Sequence, residues 1–222
     1  MGILFEDEAL FGKLIEEFPT LEQILSKFGV DVTNIKVLSD TGSHGVAFTD
    51  GKLVVKLTDD PNEARSSAKI VGKTITGVNP IHYVGKLAHD IPYHDPTITT
   101  EKVQYYVIIQ DMVDTRINKQ EGLIANLVGD FLVLNKKWPL DIDWIIREIY
   151  REAYRKTHQN LISPRNTEIM RSLLQNVQAL YSHGVKYMDV SRGNVGKDSE
   201  GNLVVFDLGV SETSPVEIAT VG

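Results

Sequence analysis

The chain has 222 residues, 42% of them hydrophobic and 24% charged, enough to bury one good core or to divide into two small lobes. Its 23 basic residues against 30 acidic ones give a net charge of -7, and no run of Lys and Arg breaks that acidity, which argues against a nucleic-acid surface. There is no cysteine, so disulfides, thiolate metal sites and a Cys nucleophile are excluded.

The N-terminal "MGILFEDEALFGKLIEEF" is acidic and amphipathic, without a basic leader region, and no apolar run approaches the ~18 residues of a membrane span. A cytoplasmic protein without a membrane partner is expected. "MGILFE" carries Glu6 where a myristoylation start has Ser or Thr. Apolar residues recur at helical spacing at Leu10, Phe11, Leu14, Ile15 and Phe18, then at Leu21, Ile24, Leu25 and Phe28, with a break at Pro19. Residues 1–30 are thus predicted to be a two-part helical lead-in.

From about residue 35 the period becomes strand-like in "IKVLSD", "GVAFTD" and "KLVVKLT", with an Asp50-Gly51 hairpin turn between the last two. "DPNEARSSAKIVGK" reads as a short helix capped by Asp60, with Pro61 in its first turn. "PIHYVGKLA" and "KVQYYVIIQDMVD" complete an antiparallel sheet of about five strands within a small lobe over residues 31–113. A boundary is expected near residues 111–118, and beyond it the character turns helical through 114–222. "DIDWIIREIYREAYRKTH" is amphipathic, and "NTEIMRSLLQNVQALYSHG" aligns Ile169, Met170, Leu173, Leu174, Val177, Leu180 and Tyr181 on one stripe that ends at Gly184. A loop "KYMDVSRGNVG", a turn "KDSEGN" and a strand "LVVFDLG" follow. The fold class is α+β.

That loop holds Asp189 and Asn194 five positions apart, and Asp207 lies thirteen residues further on. A loop, a turn and a strand would draw the three side chains into an oxygen-rich pocket. Hard divalent cations such as Mg2+ take oxygen ligands and keep several waters, so Asn194 and Asp207 suit a metal carried on phosphates, with Asp189 left to act on a nucleophile. The plain alternative is a turn aspartate and a capping asparagine.

With these intervals the sequence resembles the protein-kinase-like superfamily, whose catalytic loop H-R-D-x-x-x-x-N and magnesium-binding D-F-G correspond to "YMDVSRGN" and "DLG". Upstream, "SDTGSHGVAF" stands between two strands where such kinases carry G-x-G-x-x-G-x-V, and Gly42 and Gly45 match the second and third glycines. The resemblance implies a two-lobed fold with a small antiparallel-sheet N-lobe and a truncated, mainly helical C-lobe, using ATP and Mg2+. It implies that Gly42, Ser43, His44 and Gly45 cover the phosphates and that Lys56 contacts them. The apolar setting of Lys56 in "LVVKL" calls for a partner, for which Glu63 in the following helix is the candidate. By the same resemblance Asp111, Met112 and Val113 form the adenine-binding hinge behind Gln110. Asn194 and Asp207 hold the metal, and Asp189 orients the acceptor hydroxyl.

The chain departs from the family pattern at several places. Tyr187 and Met188 replace the His and Arg before the catalytic aspartate, removing the arginine that commonly receives an activation-loop phosphate. Ser191 stands where a cation is usual, which leaves charge stabilisation to the neighbouring Arg192. The sequence runs only fifteen residues past Asp207, similar to small prokaryotic or phage minimal kinases, and a second subunit or partner could complete the C-lobe. Ser211, Thr213, Ser214 and Thr220 in that stretch are expected on a flexible tail near the catalytic loop, as sites of self-phosphorylation.

Two other motifs are read as decoys. "VGKT" at 71–74 lacks the first glycine and the preceding strand of a Walker A loop, and His89, Asp90, His94 and Asp95 match no common zinc spacing. "EIYREAYRK" is read as a solvated helix face. The leading functional expectation is a minimal protein Ser/Thr kinase with a protein substrate or itself as acceptor. The alternatives are a small-molecule kinase similar to aminoglycoside phosphotransferases and a nucleotide-binding pseudokinase.

Overall fold

The computed structural model describes residues 7–38, 45–92, 101–135, 137–155, 163–209 and 211–222, with backbone alone at 7–10, 92 and 153–155. It is a mixed α+β structure whose chain divides into two compact units. The first comprises residues 1–72, 81–112 and 215–222, and the second 73–80 and 113–214.

The first unit opens with α1 (Asp7–Glu17) and α2 (Pro19–Lys27). Pro19 sits in the first turn of α2, where its missing N–H costs nothing and its ring stops α1. The sheet follows as β1 (Lys36–Val37), β2 (Gly45–Thr49) and β3 (Leu53–Thr58), then α3 (Pro61–Ile70), β4 (Ile81–Leu87), a small ladder of β5 (Ile91–Pro92) with β6 (Lys102–Val103), and β7 (Tyr106–Asp111). Asp50 fixes the β2–β3 hairpin by accepting from the backbone N–H groups of Lys52 and Leu53, both at 2.8 Å, while Gly51 takes φ 91°. Strand β7 lies between β3 and β4, and these pairings are all antiparallel.

Side chains alternate across a strand, and here the alternation separates core from chemistry. Val55 and Leu57 of β3 and Val107 and Ile109 of β7 share one core with Phe11, Leu14, Phe18, Leu21 and Leu25 of the two leading helices. The lead-in is therefore packed on the sheet. Lys56, between Val55 and Leu57, faces the other way toward α3. That helix starts as its sequence suggests: the Asp60 carboxylate accepts from Asn62 N at 2.8 Å and Pro61 takes the first turn.

In the second unit α4 (Lys119–Asn135) begins with a capping box, Asn118 Oδ1 accepting from Glu121 N at 3.0 Å and Glu121 Oε2 accepting from Asn118 N at 2.9 Å. Then come α5 (Ile142–Arg155) and α6 (Pro164–Ser182), whose Met170, Leu173, Leu174, Val177 and Leu180 are fully buried. Gly184, at φ 81°, ends α6 as the stripe predicts. Strand β8 (Val185–Tyr187) pairs with β11 (Ser211–Thr213), and β9 (Val195–Lys197) pairs with β10 (Leu203–Val205). Residues 77–79 join this unit through a parallel bridge of Val78 to Val205.

The last strand, β12 (Ala219–Val221), belongs to the first unit. It pairs parallel with β4 and makes the sheet six-stranded, in the order β1-β2-β3-β7-β4-β12. Val221 is fully buried in the same core as α1 and α2, and the Gly222 carbonyl accepts from Thr20 N at 3.2 Å. This corrects the expectation of a flexible tail. Ser211 and Thr213 are held in β11, Ser211 Oγ donates to Leu208 O at 2.8 Å, and Thr220 lies in β12 beside β4.

Candidate functional site

In the first unit the Lys56 Nζ lies 2.6 Å from Glu63 Oε1. The Glu63 side chain is only 4% exposed and that of Lys56 18%, so the two charges are largely withdrawn from water and each needs the other. Gly45 opens β2 opposite Thr58, where a Cβ would collide with the Leu57 carbonyl, so the strands can approach only with glycine there. Gly42, Ser43 and His44 lie outside the described residues. Asp111 ends β7 and its Oδ1 lies 2.7 Å from His82 Nε2, while Met112 N donates to Lys52 O at 2.9 Å. Val113, buried, is the first residue assigned to the second unit after β7.

In the second unit the loop after β8 brings Asp189 and Asn194 into direct contact. Asn194 Nδ2 donates to Asp189 Oδ2 at 2.7 Å and to the Asp189 carbonyl at 3.1 Å. The same carbonyl accepts from Tyr187 Oη at 2.6 Å and from Ser191 N at 2.9 Å. Phe206 N donates to Asn194 O at 3.1 Å, which ties the "FDLG" segment to the loop, and Asp207 Oδ1 accepts from Gly209 N at 3.1 Å. Burial pushes the Asp189 carboxyl up, the Asn194 hydrogen bond opposes it, and the charge of Asp207 raises it further. The three side chains are thus one electrostatic cluster.

This cluster fits a hard cation by its donor chemistry. With the Asn194 amide N–H groups spent on Asp189, the oxygen Oδ1 is the atom of Asn194 suited to a metal, and Asp207 adds a carboxylate. Among the described residues no group of three or more His, Cys, Asp and Glu could cage an ion. A two-ligand oxygen set is what Mg2+ requires when phosphates and water complete its shell.

Helix α4, which the sequence reading did not single out, supports the loop. A Cβ on Gly129 would stand 2.5 Å from Val190 O, and one on Gly122 would stand 2.8 Å from Arg192 Cδ. Between them Asn126 Oδ1 accepts from Arg192 N at 2.8 Å. Residues 122, 126 and 129 fall on one helical stripe, so the glycine spacing in "EGLIANLVGD" was a usable signal. The carbonyl contact of Tyr187 had no such signal.

The decoys resolve physically. Gly72 follows α3 with φ 69° and donates to Ile81 O at 2.9 Å, a helix exit and not a phosphate loop. His89 Nε2 lies 2.7 Å from Glu17 Oε1, with its ring stacked on Phe18, whereas His94 and Asp95 lie outside the described residues. On α5 Arg151 is exposed and pairs with Glu148 at 3.3 Å. No described helix is long and apolar enough to cross a membrane.

The sequence matches no protein-family model and no curated protein. Two solved structures with detectable likeness are a crystal structure of WbdD and a co-crystal of WbdD with the kinase inhibitor LY294002. The first has 13% identity over 81% of this chain with a TM-score of 0.40, and the second 12% identity over 78% with a TM-score of 0.34. The chain spans about a third of the WbdD chain, 33% and 32% in the two cases. At these values neither likeness carries an argument about function.

Proposed function

We propose that the protein is an ATP- and Mg2+-dependent phosphotransferase of the protein-kinase-like type, with a protein Ser/Thr hydroxyl as its acceptor. The observation that carries the reading is the cluster of Asp189, Asn194 and Asp207, in which one carboxylate is held by the amide of the asparagine and feels the charge of the second carboxylate. The Lys56–Glu63 pair supports it from the first unit.

In this reading Lys56 holds the α and β phosphates and Glu63 keeps its ammonium in place. Gly42, Ser43, His44 and Gly45 cover the phosphates, and backbone groups of Asp111, Met112 and Val113 bind adenine. Asn194 and Asp207 would hold Mg2+, which when bound neutralises phosphate charge. Asp189 orients the acceptor hydroxyl and takes its proton as the oxygen–phosphorus bond forms and the bond to ADP breaks. Phosphoryl transfer depends mainly on positioning and charge compensation, and a carboxylate with a raised proton affinity is the better base for that step.

The test is a thermal melt with ATP, with and without Mg2+, on the wild type and Asp207→Ala, followed by labelled ATP with a panel of proteins and hydroxyl metabolites. A ligand at a hundredfold its Kd stabilises the native state by about 2.7 kcal/mol. The reading expects a Mg2+-dependent rise that Asp207→Ala removes, and label on protein. Label only on a metabolite would replace the acceptor with a small molecule, and binding without transfer would make the protein a pseudokinase.

A further inference from the structure

We propose that Tyr187 is a positioning residue for Asp189, holding its backbone carbonyl through the phenol so that the carboxylate is set in place before any metal binds. The inference rests on the phosphotransferase reading for its catalytic consequence, and on geometry internal to the second unit for everything else.

Tyr187 is fully buried, and its place in β8 is fixed by the register with Ser211 of β11. Burying a hydroxyl is unfavourable unless it finds a partner, so a position that needed only volume would be served by phenylalanine. The partner this phenol meets, at 2.6 Å, is the carbonyl of the residue two positions on, Asp189. The other side-chain donor to that carbonyl, Asn194 Nδ2, divides its hydrogen bonds between the carbonyl and Asp189 Oδ2, and its amide also serves as the candidate metal ligand. Tyr187 is not a candidate ligand. It therefore anchors the main chain of Asp189 independently of the metal, while Asn194 couples that residue to the metal. Displacing a reacting group by about 1 Å can cost about a hundredfold in rate.

The experiment uses the full chain with Tyr187→Phe, which keeps the ring and removes the donor. Expected are a fall in kcat of about tenfold to a hundredfold, with unchanged nucleotide affinity and Mg2+ half-saturation. In the Asp189→Asn background the same substitution has no further effect, because the phenol acts through Asp189. Hydrogen exchange at Ser191 N, which donates to the same Asp189 carbonyl at 2.9 Å, is faster in Tyr187→Phe than in the wild type, because the loop loses the anchor that holds that carbonyl. An unchanged kcat, a loss that follows nucleotide or Mg2+ affinity, or an equal loss in the Asp189→Asn background would overturn the proposal. If the wild type transfers phosphate to no acceptor, the phosphotransferase reading fails on its own. Hydrogen exchange then decides this inference: faster exchange at Ser191 N in Tyr187→Phe sustains the anchoring role, and unchanged exchange ends it.

Discussion

Glu63 accepts from the Lys56 ammonium at 2.6 Å across the gap between α3 and β3, with the carboxylate almost entirely out of water. Removing one member takes from the other, largely buried charge its partner at 2.6 Å, a loss of up to about 3 kcal/mol, whereas replacing both by apolar groups is far milder. Urea melts of Lys56→Met, Glu63→Leu and the double variant should show the double variant less destabilised than the sum of the singles. Strict additivity would mean that the two charges do not depend on each other.

Asp189 makes a pH prediction. Its carboxyl binds a proton more tightly in the fold than in the unfolded chain, because burial and the Asp207 charge raise it above 3.8. The contribution to stability is therefore best below the ordinary carboxylate range and falls as pH rises from there through the raised value. In EDTA, Asp189→Asn should melt higher than wild type at pH 7, and the difference should close in acid. A variant that melts lower at neutral pH would show that the carboxylate's hydrogen bond with Asn194 outweighs its desolvation.

Two glycines of α4 predict opposite outcomes. Gly129→Ala drives a methyl group against the Val190 main chain, and overpacking of this kind costs about 1–3 kcal/mol. Gly122→Ala meets only the movable Arg192 side chain, and gains up to about 1 kcal/mol of helix propensity. Chemical denaturation should place the two variants at least ~1 kcal/mol apart, with Gly129→Ala the weaker. Equal stabilities would show that α4 does not brace the loop.

The terminal strand predicts a long-range effect. Val221→Ala removes fully buried methyl groups from the core shared by α1 and α2, at a cost of about 2 kcal/mol, although it lies far in sequence from both helices. Hydrogen exchange should show the loss at β4 and at α2. Protection unchanged in both would mean that β12 is not part of the sheet's stability.

Local signals carried far in this chain. Pro19, Asp50-Gly51, Asp60-Pro61 and Gly184 each mark a boundary because their chemistry is complete within a few residues, and the apolar surroundings of Lys56 demanded a partner one turn into the next helix. The return of β12 was not legible, because "ATV" has too few residues for an alternation and its pairing with β4 depends on a contact more than a hundred positions away. Helix α4 escaped notice for a different reason. Leu123, Val133 and Leu134 are exposed, and apolar residues outside the buried face flatten the amphipathic signal, although the capping box at Asn118 and Glu121 was there to be read. The Tyr187 contact ends on a backbone atom, and sequence patterns do not show where a side chain meets main chain.

The most direct measurement is single-turnover transfer of the γ-phosphate from ATP with Mg2+, for wild type and Asp189→Asn, with nucleotide affinity determined on the same preparations. The account predicts transfer by the wild type, and for Asp189→Asn a loss of at least about a hundredfold with affinity little changed, since general-base assistance supplies about 10²–10⁴ and Asp189 touches the acceptor and not the nucleotide. Equal transfer by the two proteins, or a loss that merely follows weakened nucleotide binding, would contradict it.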